Sequence, residues 1–289
     1  MAVANEMNFS RASQRVHIVQ SALSVAVGKL EKELGVELFD RSRQKIRLTP
    51  VGETFLDHAR RVILTAQIAK NSVSEYRGQL TGTIEFGGLV SLGDLDLPKI
   101  LGEFHRNYPL VRIKMQQRQA QVGLSTYLSE IADGVLDLGL VQLPDNCPPR
   151  ITMQKLWEEP ILFVCRPDHP LAQHDCVDVT ELAEEPLIGW PNGYGIRRLI
   201  ENMFTAAGIT PQICYELTIN YSFAARLVQH GLGSTFMPAS EARHQTGLHA
   251  IPMRQDPTRS IHLAWSGEAP RGTATAKLAE QIIGSAALI

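Results

Sequence analysis

The sequence predicts an α/β protein in three parts: a small basic helical head, a long linker helix, and a larger body of alternating strands and helices. Three observations carry this. Residues 10–52 read as two short helices, a tight turn and a basic hairpin. Residues 50–76 hold an unbroken apolar seam at the heptad period. From residue 82 onward, short apolar runs alternate with amphipathic helical ones.

At 289 residues the chain is long enough for more than one compact unit. Its 44% hydrophobic content supports real cores, and its 20% charged content excludes a disordered chain. The net charge of −2 hides an asymmetry. Residues 1–50 hold eight Lys/Arg against five Asp/Glu, and the remainder holds 20 against 25. A basic head on an acidic body suits a DNA-contacting end joined to a domain with another task. Cys147, Cys165, Cys176 and Cys214 form no CxxC, and no histidines pair at metal-ligand spacing. That fits free thiols in a reducing cytoplasm, with no metal or cofactor expected. Cys165 lies in an apolar run and reads as a buried, inert thiol. Met1–Glu6 lacks a basic apolar leader, and no apolar stretch is long enough to span a membrane.

In the head, Phe9, Ala12 and Val16 stand at helical spacing, with Ser10 as the expected N-cap. A second helix is predicted from about Gln20 to Leu34, its inner stripe Leu23, Val27, Leu30 and Leu34, ended by Gly35. Two short helices with a tight link are the helix-turn-helix plan, whose second helix enters the major groove. Then Arg41, Arg43, Lys45 and Arg47 alternate along a hairpin, which places four cations on one edge for phosphates.

These strings, Ser10-Arg11-Ala12-Ser13 through Arg47-Leu48-Thr49-Pro50-Val51-Gly52, resemble the winged helix-turn-helix of the LysR-type transcriptional regulators. The resemblance extends over essentially the whole chain and is strongest across residues 10–55. It implies that Gln20, Ser21 and Ser24 contact bases or phosphates, that Lys29 and Lys32 lie near the backbone, and that the hairpin is the wing. Three departures stand out. Val19 replaces the family's usual Ser before the recognition helix, and Ser21 replaces its usual Pro. Val25-Ala26 replaces a polar pair, which reduces the readable surface. The chain also starts later than the family's first helix, so that helix is expected to be truncated and DNA affinity weakened.

Thr49 and Pro50 suit the N-cap and first position of a linker helix. Phe55, Ala59, Val62, Ala66, Ala69, Val73 and Tyr76 then form an a/d seam flanked by polar residues, which predicts pairing with a second chain. Arg77–Gly82 carries two glycines and reads as a hinge.

In the body, strands are predicted at 83–87, 111–116, 138–141, 161–165, 234–237 and 260–265. Helices are predicted near 96–107, 124–134, 194–207, 221–230 and 273–287. The order of Phe104–Pro109, Gly134–Leu140, Asp168–Ala172 and Gly231–Pro238 resembles the effector domain of the same family. The resemblance implies a bilobed fold like that of periplasmic binding proteins. It divides the chain into a DNA-binding domain (1–50), a linker and hinge (51–81) and an effector domain (82–289). Lobe 1 would span about 83–159 plus 262–289, and lobe 2 about 160–261. Such folds bind ligands in the cleft, at strand ends and helix N-termini. The candidates are Ser91, Ser125 and Gln142 from lobe 1, with Trp190, Asn192, Tyr194, Asn220, Tyr221 and Met237 from lobe 2. Each of them also suits an ordinary cap, turn or packing role. The three aromatics point to an aromatic ligand, and the helix starts to an anionic one.

No GxSxG, HExxH, phosphate-binding loop or dinucleotide fingerprint appears, so an enzyme is not expected. His169 and His174 read as surface residues of a proline-bearing loop. The segment that would hold a redox pair, Trp190–Tyr194, has no cysteine. The expected function is a ligand-responsive transcription regulator, acting on double-stranded DNA as a homodimer or homotetramer. Two alternatives remain open at this level: a solute-binding protein that does not regulate, and a regulator impaired in DNA binding.

Overall fold

The computed structural model describes the chain except residues 42–45, 77–79, 89–90, 117–118, 143–148, 268–269, 271 and 288–289. Two units are resolved, Met1–Lys70 and Asn71–Ile289.

The first unit is helical. α1 (Ala2–Glu6) ends at Met7, which turns left-handed at φ 45°. α2 (Phe9–Arg15) starts from Asn8, whose side chain accepts from Arg11 N at 3.0 Å. Asn8 therefore takes the capping role that the sequence suggested for Ser10. Ser10 lies inside the helix, and its hydroxyl donates to Gln20 Oε1 at 2.7 Å. α3 (Gln20–Leu34) ends at Gly35 in the left-handed conformation, φ 71°. β1 (Phe39–Asp40) and β2 (Arg47–Leu48) form an antiparallel pair. α4 (Pro50–Tyr76) follows, with Thr49 Oγ1 accepting from Gly52 N. At Gly52 the helix meets the backbone of Leu38 so closely that a Cβ would lie 2.1 Å from its carbonyl oxygen.

Val3, Phe9, Ala12, Leu38 and Phe39 form the core of this unit, with Leu23 and Val27 packed against it. The lower half of the expected α3 stripe is not buried. Leu34 is exposed, and Leu30 borders an open apolar groove with Met1, Val27, Phe55 and Ala59.

The second unit is built on one mixed sheet. Its strands are β3 (Gly82–Gly87), β4 (Val111–Gln116), β5 (Leu138–Gln142), β6 (Ile151–Cys165), β7 (Pro186–Gly189), β8 (Gln212–Glu216), β9 (Ser234–Pro238), β10 (His249–Ile251) and β11 (Thr258–Ser266). The order is β4-β3-β5-β11-β6-β9-β7-β8, with β10 beside β6. Helices α5 (Leu97–Asn107), α6 (Gln119–Ala132), α7 (Gly195–Ala206), α8 (Tyr221–Gln229), α9 (Ala239–Ala242) and α10 (Thr273–Ala286) complete it.

β6 is far longer than the sequence indicated, because Glu158-Glu159-Pro160 interrupts its apolar pattern. Residues 151–160 pair with β11, whereas 161–165 pair with β9 and β10. Pro160, which has no N–H to donate, stands at this change of partner. Two large cores result. One gathers Phe86, Phe104, Leu138 and Leu278, and the other gathers Phe163, Phe204, Val228 and Phe236. β6 enters both, with Trp157 in the first and Ile161 and Phe163 in the second, so the body has two lobes joined along this strand.

Candidate DNA-contact surface and effector cleft

On α3, Ser21, Ala22, Val25, Ala26, Lys29 and Lys32 are exposed, whereas Ser24 is half-buried. Gln20 opens the helix and ties it to α2 through Ser10. Val19, at the N-cap, has extended dihedrals but no side chain that could cap.

Arg47 is exposed on β2. Arg41, exposed before the wing, also serves the head itself. Its guanidinium bonds Glu31 Oε2 at 2.7 Å and stands 5.0 Å from the Phe9 ring centroid. Glu31 also accepts from Leu38 N and Phe39 N, so one carboxylate holds β1 against α3. The sequence reading gave Glu31 no role. Arg43 and Lys45 lie outside the described residues.

Along α4, Phe55 belongs to the head's own core, and Ala59 is half-buried beside it. Val62, Ala66 and Ala69 are exposed, and the side chains of Val73 and Tyr76 lie outside the described set.

In the body, several candidates meet where the two cores adjoin. Ser91, only 3% exposed, accepts from Arg259 Nη2 at 2.8 Å. Arg259, buried in β11, also bonds Glu159 Oε1 through Nη2 at 2.6 Å and Nε at 3.0 Å. The other Glu159 oxygen accepts from Ser240 N, at the start of α9. Burial pushes the Glu159 carboxyl up, but Arg259 and Ser240 outweigh it and hold it below the usual glutamate value. Arg259 and Glu159 were missed because they stand 100 residues apart and meet only through strand register.

Gln142, at the end of β5, presses its amide against Gly195, the first residue of α7. A Cβ at Gly195 would lie 2.2 Å from Gln142 Oε1. The hydroxyl of Tyr194, the residue before Gly195, is sheltered from solvent with no hydrogen-bond partner among the described residues. Arg243, which follows α9, bonds both oxygens of Asp94 across the junction. The sequence had not singled out this pair.

The remaining candidates separate. Trp190 is buried in the second core, its ring 4.7 Å from Tyr221 and 5.9 Å from Tyr194. Tyr221 is buried too, and burial drives its hydroxyl pKa upward. Met237 lies within β9, opposite Leu162 and fully buried, and not beyond a strand end. Asn220 is the N-cap of α8 and accepts from Phe223 N. Asn192 is exposed. Ser125 does not begin a helix, because α6 starts at Gln119 and places it in the second turn. The Ser125 side chain lies outside the described set. Cys165 is a buried thiol pushed up to about 11 by desolvation. His169 is not a free surface residue: its Nε2 lies 3.1 Å from Glu185, which also accepts from Ser234. Among the described residues no cluster fits a metal, and no helix is long and apolar enough to cross a membrane.

Residues 1–53 match the bacterial regulatory helix-turn-helix protein, lysR family, and residues 77–287 match the LysR substrate binding domain. The chain is 32% identical to the HTH-type transcriptional regulator ShiR of Corynebacterium glutamicum, over 92% of this chain and 90% of that protein. It is 28% identical to the DNA-binding transcriptional dual regulator OxyR of Escherichia coli, over 98% and 92%. Among solved structures, a full-length OxyR variant from Pseudomonas aeruginosa superposes with a TM-score of 0.72 at 26% identity, covering 98% of this chain and 94% of that one.

Proposed function

Because the chain belongs to the LysR-type transcriptional regulators, we propose that an effector held between the two cores of its body changes how paired copies of α3 address DNA. The protein is a DNA-binding regulator with an effector domain, not an enzyme. In this reading it works in the cytoplasm as a homodimer paired through α4, two dimers forming a tetramer. Gln20, Ser21 and Ser24 contact DNA with Lys29, Lys32, Arg43, Lys45 and Arg47. Val62, Ala66 and Ala69 form the exposed part of the dimer seam.

The observation that supports effector control is the Arg259 guanidinium. It bonds Ser91 in the first lobe and Glu159, which in turn holds Ser240 in the second. A small carboxylate or hydroxylated ring competing for Ser91 or Arg259 is therefore felt by both lobes. It shifts their equilibrium only by its differential affinity for the two arrangements. The unpaired Tyr194 hydroxyl supplies a further contact, and its ring an aromatic face.

The test is fluorescence anisotropy of the full chain on DNA flanking its own gene, across a salt series, with a scrambled duplex beside it. Four wing cations per protomer would give about eight phosphate contacts per dimer and a log–log slope near −7, and withholding Arg41 leaves about six and a wing contribution near −5. Equal, weak binding to both duplexes rejects effector-controlled binding at this site and favours a regulator impaired in DNA binding. Thermal-shift screening with carboxylates then tests the cleft: Ser91→Ala should lose the ligand-induced shift while retaining the fold.

A further inference from the structure

The face of α3 turned away from the head core is largely made of methyl groups. Val25 is 71% exposed, the most exposed large apolar residue described, and Ala22 and Ala26 are exposed beside it. It stands two residues from Leu23 and from Val27, which pack inward, and so projects from the opposite side of the helix. Nor does it line the apolar groove, whose α3 residues are Leu23, Val27 and Leu30. Val25 thus serves neither the core nor the groove.

Hydrogen-bonding capacity on this face is small. Ser21 is exposed, Ser24 is half-buried, and the Gln20 carbonyl is taken by Ser10. Toward the C-terminal end, Lys29 and Lys32 follow Val25 by four and seven positions and carry positive charge onto the same side. A methyl surface bordered by cations fits a polyanion that shows apolar groups between its phosphates. In the major groove the apolar group is the C5-methyl of thymine.

We propose that Val25, with Ala22 and Ala26, reads thymine methyl groups, so that the operator is chosen largely by apolar contact. This rests on α3 entering the major groove. Each methyl removed should weaken binding about fourfold, the factor equivalent to about 0.8 kcal/mol per buried carbon.

The experiment first selects binding duplexes from a randomised pool with the full-length protein. Each thymine in the selected site is then replaced singly by deoxyuridine, and affinities are compared by anisotropy for the wild type and Val25→Ala. The expected result is a penalty of about fourfold at one or two thymines per half-site, which Val25→Ala abolishes. Cytosine replaced by 5-methylcytosine at neighbouring steps should show the converse gain. A selected site indifferent to every deoxyuridine, or a penalty that persists in Val25→Ala, overturns the proposal and leaves DNA binding intact. Failure to select any sequence overturns it together with the reading on which it rests. The Val25 side chain makes few contacts in the fold, and a circular dichroism melt verifies that the variant is folded.

Discussion

At Glu159, burial and pairing pull in opposite directions: desolvation raises the carboxyl, while Arg259 and Ser240 lower it further. With the folded pKa depressed, the stabilisation is present above the ordinary glutamate value of 4.5 and is lost as pH falls through the lower folded value. Glu159→Gln strands the buried Arg259 charge and should cost about 3–5 kcal/mol near neutral pH, a loss that shrinks in acid. Urea denaturation at pH 7 and pH 4 measures both. The double variant Glu159→Gln/Arg259→Met should be less damaged than Glu159→Gln alone, because no unpaired cation remains. None of this was legible in sequence. The three residues sit on β6, β11 and α9, and only register joins them. Ser91, by contrast, was legible as a loop residue before a helix, though its hydroxyl turned out to serve Arg259. In the head, Glu31→Ala should destabilise the hinge between α3 and β1, since three hydrogen bonds to one carboxylate disappear together. Arg47→Gln should act differently, leaving stability unchanged and making the DNA salt slope shallower by about 2 in a dimer.

Elements were legible where a period or a stop residue spoke for them. The spacing of Leu23, Val27 and Leu30, with Gly35 after them, located α3, and Thr49-Pro50 located the start of α4. Caps were harder, because Asn8 and Ser10 are equally good by composition and only backbone geometry chooses Asn8. α6 was placed late, near residue 124, whereas it begins at Gln119 and includes Gly123. The helix runs through it, at a propensity cost of about 1 kcal/mol. β7 and β8 escaped notice as short runs between a proline-bearing loop and a helix. The uncapped start of α3 makes a prediction of its own. Val19 already has the extended dihedrals of a capping residue, so Val19→Ser should stabilise the head by about 1 kcal/mol, seen as a higher urea midpoint. Asn8→Ala should cost about the same at α2.

For the whole molecule, contacts of different strength join the lobes. The Asp94–Arg243 pair is exposed on both sides, so Asp94→Asn should change stability by less than about 1 kcal/mol. It should nevertheless weaken effector binding if the ligand favours the arrangement this pair holds, and calorimetry with a ligand found by screening reads that directly. The deeper connection is covalent. The chain leaves the first lobe along β6, builds the second, and returns along β11, so the second lobe is an insertion between two long strands of the first. β6 alone is shared, its residues 151–160 pairing with β11 and its residues 161–165 with β9 and β10. Hydrogen exchange should therefore find the slowest amides of the body along β6 and β11, with both lobes opening in one cooperative step. A gene fragment encoding residues 161–257 alone would keep every strand of its own sheet but lose Glu159 and Arg259, and should emerge from the ribosome as a lobe cut loose from the ion pair that ties it to its neighbour.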